Sequence, residues 1–170
     1  MANQSNNKVQ LHKAEIGDAF EINAMATEIW LQHYPPIIGL EQVHFMLERM
    51  YDIPVLETQI KNKTQEFYWI SYNSTRVGFI AIEQTKEHEQ YVQKFYILPG
   101  MQEKGIGMQA FSELCHNFPA VQTIKLQVNR QNYTAINFYF KIGFKIERVA
   151  DFDIGKGYFM NDFVMTWTRR

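Results

Sequence analysis

The sequence predicts a mixed α/β domain. The early part of the chain carries apolar residues at helical spacing, and the period then changes to two at Phe67. The two later helical stretches each lie between strands, so each can cross over and pack on a sheet.

Val9 to Ala14 alternates apolar and polar residues, as a half-buried strand does. Asp18 stands where it can cap a helix that carries Phe20, Ile22, Ala24, Met25 and Ile29 and ends near Trp30. Pro35-Pro36 predicts a loop, because proline lacks the N–H that regular structure needs. Leu40 to Tyr51 is a helix by the spacing of Val43, Met46, Leu47 and Met50. Asp52, with Pro54 two positions on, opens another that runs through about Lys61. Phe67 to Tyr72 and Val77 to Glu83 read as a hairpin around the turn Asn73-Ser74-Thr75.

Tyr91 to Leu98 is a further strand, broken at Pro99-Gly100. Ile106, Ala110, Phe111, Leu114 and Phe118 predict a helix over Lys104 to Asn117, and Thr123 to Val128 alternates as a strand. Asn132 can cap a helix whose stripe is Ala135, Phe138, Tyr139 and Ile142, ended by Gly143. Strands at Phe144 to Val149 and Phe163 to Thr168 close the chain. No linker or repeat divides it, so residues 9–170 form a single domain after a polar tail, residues 1–8.

The chain of 170 residues is long enough to bury a core, and 46% of it is hydrophobic. Seventeen basic against eighteen acidic residues give a net charge of -1, which argues against a nucleic-acid binder. No Lys/Arg block suggests a membrane anchor. With one cysteine, Cys115, no intramolecular disulfide can form. The Asn-rich start lacks the apolar core of a signal peptide, so a cytoplasmic protein is expected. The histidines show no ligand spacing with Cys115, Asp or Glu, so no metal is expected. Cys115 lies one turn from Phe111 and Leu114 and reads as a small buried hydrophobe.

The informative stretch runs from Tyr91 to Phe111. A strand ends at Leu98, a short loop follows, and a helix begins among Gly105 and Gly107. The first N–H groups of a helix have no intrahelical partner, and the helix dipole adds positive character there. Glycines let this backbone approach a ligand closely, which makes a phosphate cradle, and Lys104 can add a charged contact. No Gly-Lys-Ser/Thr triplet follows, so it is not a Walker loop, and the third glycine of a dinucleotide fingerprint is missing. Taken alone, the glycines also fit a tight strand-to-helix turn.

With its flanks the stretch resembles the GCN5-related N-acetyltransferase superfamily. That family's motif, a strand followed by Gln/Arg-x-x-Gly-x-Gly/Ala and a helix, is matched by Phe95-Tyr96-Ile97-Leu98-Pro99 and Gln102-Glu103-Lys104-Gly105-Ile106-Gly107. A second half, Val128, Asn132, Ala135, Phe138-Tyr139 and Gly143-Phe144, follows in the family's order and spacing. Within the superfamily, Asp153-Ile154-Gly155-Lys156-Gly157-Tyr158 and Asp162-Phe163-Val164-Met165 resemble the ending of the PaiA-type polyamine acetyltransferases.

The resemblance implies a central sheet of about six to seven strands flanked by helices, splayed at the strand before the loop. It implies acetyl-CoA as co-substrate, a primary amine of a small molecule, such as a polyamine, as acceptor, and a homodimer as the oligomer. Backbone groups of Phe95 and Ile97 would bond the pantetheine amides, with the Ile97 N–H also facing the thioester carbonyl. Gln102, Glu103, Lys104, Gly105, Ile106 and Gly107 would hold the pyrophosphate, and Asn132 and Lys141 would reach the cofactor from the second helix. Tyr139 matches the family's tyrosine near the sulfur and would protonate the leaving thiolate. The same tyrosine lies on an apolar stripe, where spacing alone makes it a core residue.

The expected base is missing. Alternation puts Tyr91, Gln93, Phe95 and Ile97 on one strand face and Val92, Lys94 and Tyr96 on the other, and none is acidic. Gln93 stands where related enzymes often carry a glutamate. Glu83, Glu87 and Glu89 lie upstream near a hairpin connection and read as solvated. His33 and Tyr34, before the two prolines, would lie near the acceptor entrance, with Tyr34 and Gln93 as substrate contacts. Acetylation of a protein N-terminus or lysine, and a non-catalytic acyl-CoA sensor, are the competing readings.

Overall fold

The computed structural model describes residues 8–170, so nearly all of the expected polar tail lies outside the described residues. Among them, seven strands form one sheet in the order β1-β2-β3-β4-β5-β7-β6. These are β1 (Val9–Lys13), β2 (Glu66–Tyr72), β3 (Thr75–Lys86), β4 (Glu89–Ile97), β5 (Thr123–Asn129), β6 (Lys145–Gly155) and β7 (Tyr158–Thr168). The helices are α1 (Ala19–His33), α2 (Pro35–Ile38), α3 (Leu40–Tyr51), α4 (Ile53–Asn62), α5 (Ile106–Asn117) and α6 (Tyr133–Lys141). All neighbours pair antiparallel except β4 and β5, the parallel pair that needs α5 as its crossover.

The sheet carries a core on each face. Ile106, Ala110 and Leu114 of α5 and Ile136 and Tyr139 of α6 pack on Ile80, Ile82, Val92 and Leu126. On the other face Ile22, Ala26 and Ile29 of α1, Val43 and Leu47 of α3 and Leu56 of α4 cover Phe67, Trp69, Phe79 and Ala81. Apolar residues on both faces explain the short apolar runs in β2 and β3. Gly78 lets β3 pass close to β4, because a Cβ there would collide with the Tyr96 carbonyl oxygen.

Three expectations are corrected. Pro35-Pro36 does not open a loop: the prolines occupy the first turn of the short α2, where a missing N–H costs nothing. Asp18 does not cap α1 with its side chain; its carboxylate accepts from the Glu15 N–H at 2.8 Å and pairs with Arg76 at 2.9 Å. The last hairpin is much longer than predicted, since β6 and β7 pair through Asp153 and Phe159 to the turn at Gly155–Tyr158. The added part of β6 does alternate, with Ala150, Phe152 and Ile154 set against Asp151 and Asp153, but the run is short, half-exposed and close to the glycine turn, so it does not read as strand from sequence.

Lys94 is a buried charge in the face covered by α4. Its ammonium lies 5.4 Å from the Tyr51 ring and 5.2 Å from the Phe67 ring and donates to Gln65. Burial pushes its pKa down to about 7. Among the described residues no helix is long and apolar enough to cross a membrane.

Candidate functional site

The sheet opens at its centre. β4 and β5 pair from Glu89 with Thr123 to Val92 with Leu126, and there the ladder stops. β4 runs on to Ile97 and β5 to Asn129, so the two strands separate into a gap. This is the splay that the resemblance implied.

A bulge lies where the gap begins. Lys94 faces Ala81 and Val92 faces Ile82, so Gln93 is the extra residue in β4. The bulge reverses the side-chain parity, and the predicted face is therefore wrong in part. Val92 shares a face with Phe95 and Ile97 under α5 and α6, while Tyr96 belongs to the opposite core. The Gln93 side chain donates to a Glu83 carboxylate oxygen at 2.9 Å. Glu83 is therefore held by the strand pair and is not a freely solvated residue.

Backbone groups of β4 face the gap. The Leu98 N–H donates to the Val77 carbonyl at 2.8 Å, so in an antiparallel ladder the hydrogen-bonded pairs toward β3 are Leu98 and Tyr96. Ile97, between them, and Phe95, on the other side of Tyr96, point their N–H and C=O groups away from β3, where β5 has departed. The Ile97 carbonyl accepts from the Gln102 side chain at 3.2 Å. The Ile97 N–H and both groups of Phe95 remain open to a ligand that runs along the gap.

The cradle closes one end of the gap. Gln102–Lys104 form a single 3-10 turn, and Gly105 has φ +70 at the start of α5. The first turn-closing bond is from the Gln109 N–H to the Gly105 carbonyl at 3.2 Å, so the N–H groups of Ile106, Gly107 and Met108 have no helical acceptor. A Cβ on Gly105 would meet nothing within 4 Å. Glycine is needed there for its left-handed backbone and leaves the space above the turn clear. Gly107 is small for another reason, as its Cβ would lie 3.0 Å from the Phe138 ring of α6.

α6 borders the gap from the same face. Asn132 caps it, with the side-chain oxygen accepting from the Ala135 N–H at 3.3 Å and contacting His33 Nε2 at 3.0 Å. The Asn132 amide also donates to the Tyr34 hydroxyl at 3.4 Å. Asn132 thus joins α6 to the end of α1, which leaves little of its side chain for a cofactor. The Tyr139 ring packs 5.4 Å from Phe138 and 5.5 Å from Phe144, so the residue is part of the core. Its hydroxyl makes no hydrogen bond among the described residues and borders the gap. Burial raises its pKa above the ordinary tyrosine value, and Tyr34 adds to the effect. The phenol is therefore neutral across the physiological range.

One cleft of about 490 Å³ joins these parts, within the range of small-molecule sites. It is lined by Phe95, Ile97, Gln102, Glu103, Gly105, Gly107, Asn132, Tyr139 and Lys141, and also by Tyr34 and Gln93. The structure does not bring Lys104 or Ile106 side chains to it. The Lys104 ammonium lies 5.9 Å from the Tyr72 ring, and Ile106 is fully buried and offers only its N–H. Tyr34 is not in a loop: it joins α1 to α2, stacked 4.4 Å from Trp30. Burial raises its pKa, although Tyr96 and Asn132 oppose the shift.

Asp162 was given no role by sequence reasoning. It lies in β7 opposite Asn129, is 5% exposed and lines the cleft. Burial pushes its carboxyl up to about 6, with Arg130 lowering and Asp151 raising it. An aspartate at the head of the apolar run Phe163-Val164-Met165 was the available signal, but only the register with β5 shows which face it occupies. Among the described residues no cluster of His, Cys, Asp and Glu could hold a metal ion.

Comparison with known proteins follows the same lines. A family model described as an acetyltransferase (GNAT) domain matches residues 36–152. The spermidine N(1)-acetyltransferase of Thermoplasma acidophilum is 25% identical over 158 residues, which cover 88% of this chain and 98% of the relative. The crystal structure of the PaiA N-acetyltransferase of Thermoplasma acidophilum in complex with coenzyme A is similar with a TM-score of 0.77 at 25% identity, covering 95% of this chain and 99% of that one. A GCN5-related N-acetyltransferase from Rhodopseudomonas palustris has a TM-score of 0.75 at 16% identity, covering 99% of this chain and 100% of that one, a likeness of fold alone.

Proposed function

Because the chain belongs to the GNAT acetyltransferase family, we propose that it transfers the acetyl group of acetyl-CoA to a primary amine of a small molecule. The observation that carries this reading is the gap between β4 and β5, with unpaired backbone groups along it and an anion cradle at its end. These features fit coenzyme A in order. The N–H groups of Ile106, Gly107 and Met108, without helical acceptors at the start of α5, suit a pyrophosphate. An arm leaving that cradle passes Ile97 first and Phe95 next, and two unpaired N–H groups suit its amides.

When bound, acetyl-CoA supplies an activated thioester. On this reading Ile97 would donate to the pantetheine, and Phe95, further along β4 from the cradle, would take over from Ile97 the contact to the acyl oxygen that the resemblance implied. A backbone N–H fixed in a cleft stabilises charge on that oxygen without reorganising. The Tyr139 hydroxyl, neutral and without a protein partner, can give its proton to the leaving sulfur. Lys141, on the rim of the cleft, suits a phosphate contact. A polyamine acceptor is supported by the name of the Thermoplasma relative. A cytoplasmic location is supported by the single cysteine, and a homodimer by the edge strand β6, where Val149 is 59% exposed.

Release of free thiol from acetyl-CoA, measured over polyamines, amino acids, antibiotics and peptides, tests the reading. Turnover with small amines is expected. Turnover with peptides alone would make it a protein acetyltransferase, and tight acetyl-CoA binding with no turnover on any amine would make it a sensor.

A further inference from the structure

The half of the cleft away from the cradle has its own chemistry. Its walls are largely apolar, with Trp30, Ile38, Met46 and Met160 among them. Asp162 supplies the carboxylate on this side. The residue is 5% exposed, and its carboxylate makes no hydrogen bond or ion pair among the described residues. Its oxygens are not sealed unpaired inside the protein, so what remains open to them is the cleft they line. Arg130 acts on Asp162 through its charge, lowering the pKa that burial raises, but it makes no ion pair with it: its Nη2 pairs with Asp151 at 2.8 Å and its Nη1 is buried without a hydrogen-bond partner. The other titratable groups on this side are tyrosines, Tyr34 at the end of α1 and Tyr91 on β4, and His33, which is engaged with Asn132.

A carboxylate withdrawn from water and left without a donor is unfavourable unless something charged meets it. A cation entering the cleft would do so, and the apolar walls suit a methylene chain attached to it. We infer that Asp162 receives an ammonium group of the acceptor, so that the enzyme selects cationic aliphatic amines. The inference rests on the transferase reading and deepens it by naming the residue that recognises the substrate. Apolar walls keep water away from the pair and strengthen it.

Spermidine binding is measured by calorimetry with the protein saturated in coenzyme A, for the wild type and Asp162→Asn. The substitution keeps the shape and removes the charge. At pH 7.5 it is expected to weaken spermidine binding at least about tenfold and to leave coenzyme A binding as it was. The wild type supplies a second readout that needs no variant. Its affinity for spermidine should fall as pH drops through about 6, because protonation removes the anion. In Asp162→Asn that dependence should be absent. Equal affinities in the two proteins, a flat wild-type profile, or no spermidine binding while coenzyme A still binds would overturn the assignment. Failure of the wild type to bind coenzyme A would instead overturn the transferase reading on which it stands.

Discussion

Tyr139→Phe is expected to lower kcat by about 10²- to 10⁴-fold, the usual contribution of a positioned proton donor. The affinity for acetyl-CoA should change little, and so should the melting temperature. Both halves follow from where the residue sits. Its ring contacts with Phe138 and Phe144 survive in phenylalanine, so the core is kept. The hydroxyl has no protein partner, so its removal leaves no buried group unsatisfied. A large stability loss would make Tyr139 a structural residue. An unchanged kcat would remove it from the chemistry.

Gly105→Val is expected to weaken coenzyme A binding by about 100-fold or more, equivalent to about 2.7 kcal/mol. Valine is strained at φ +70, where L-residues with branched side chains rarely sit, at a cost of roughly 1–2 kcal/mol. Relief of that strain turns the N–H groups of Ile106 to Met108 away from one another. If the backbone holds instead, the side chain projects into the clear space above the turn. Either outcome removes the anion site, and because the Cβ meets no protein atom, the rest of the fold should persist. Titration of coenzyme A into the variant by calorimetry checks it. Retained affinity would mean that the pyrophosphate binds elsewhere.

The sequence carried the order of elements well because most of them have a periodic apolar face. The helix Leu40–Tyr51 was read with its bounds as found, and the glycine turn before α5 and the Asn132 cap were also legible. What was not legible depends on pairing between distant segments. The Gln93 bulge shows only in the register of β4 against β3, and it moves side chains from one face to the other without changing a single residue type. The turn-end of the β6–β7 hairpin holds a short alternation, Ala150, Phe152 and Ile154, whose place in a strand shows only in its pairing with Phe159 to Asp162. Asp162 gained meaning only when β7 was set beside β5, which brings its carboxylate to the cleft that Tyr34 also lines. For Asn132 the local role was readable, but its ties to His33 and Tyr34 cross about a hundred positions of chain.

The central claim is that coenzyme A lies in the gap between β4 and β5 with its pyrophosphate at the start of α5. Residue-resolved amide hydrogen exchange, with and without acetyl-CoA, tests it most directly. In the free protein the Phe95 and Ile97 amides should exchange quickly between the protected amides of Tyr96 and Leu98. Saturating acetyl-CoA should slow Phe95 and Ile97 together with Ile106, Gly107 and Met108, leaving Tyr96 and Leu98 as they were. Protection confined to other parts of the chain, or none at these amides at saturation, would contradict it.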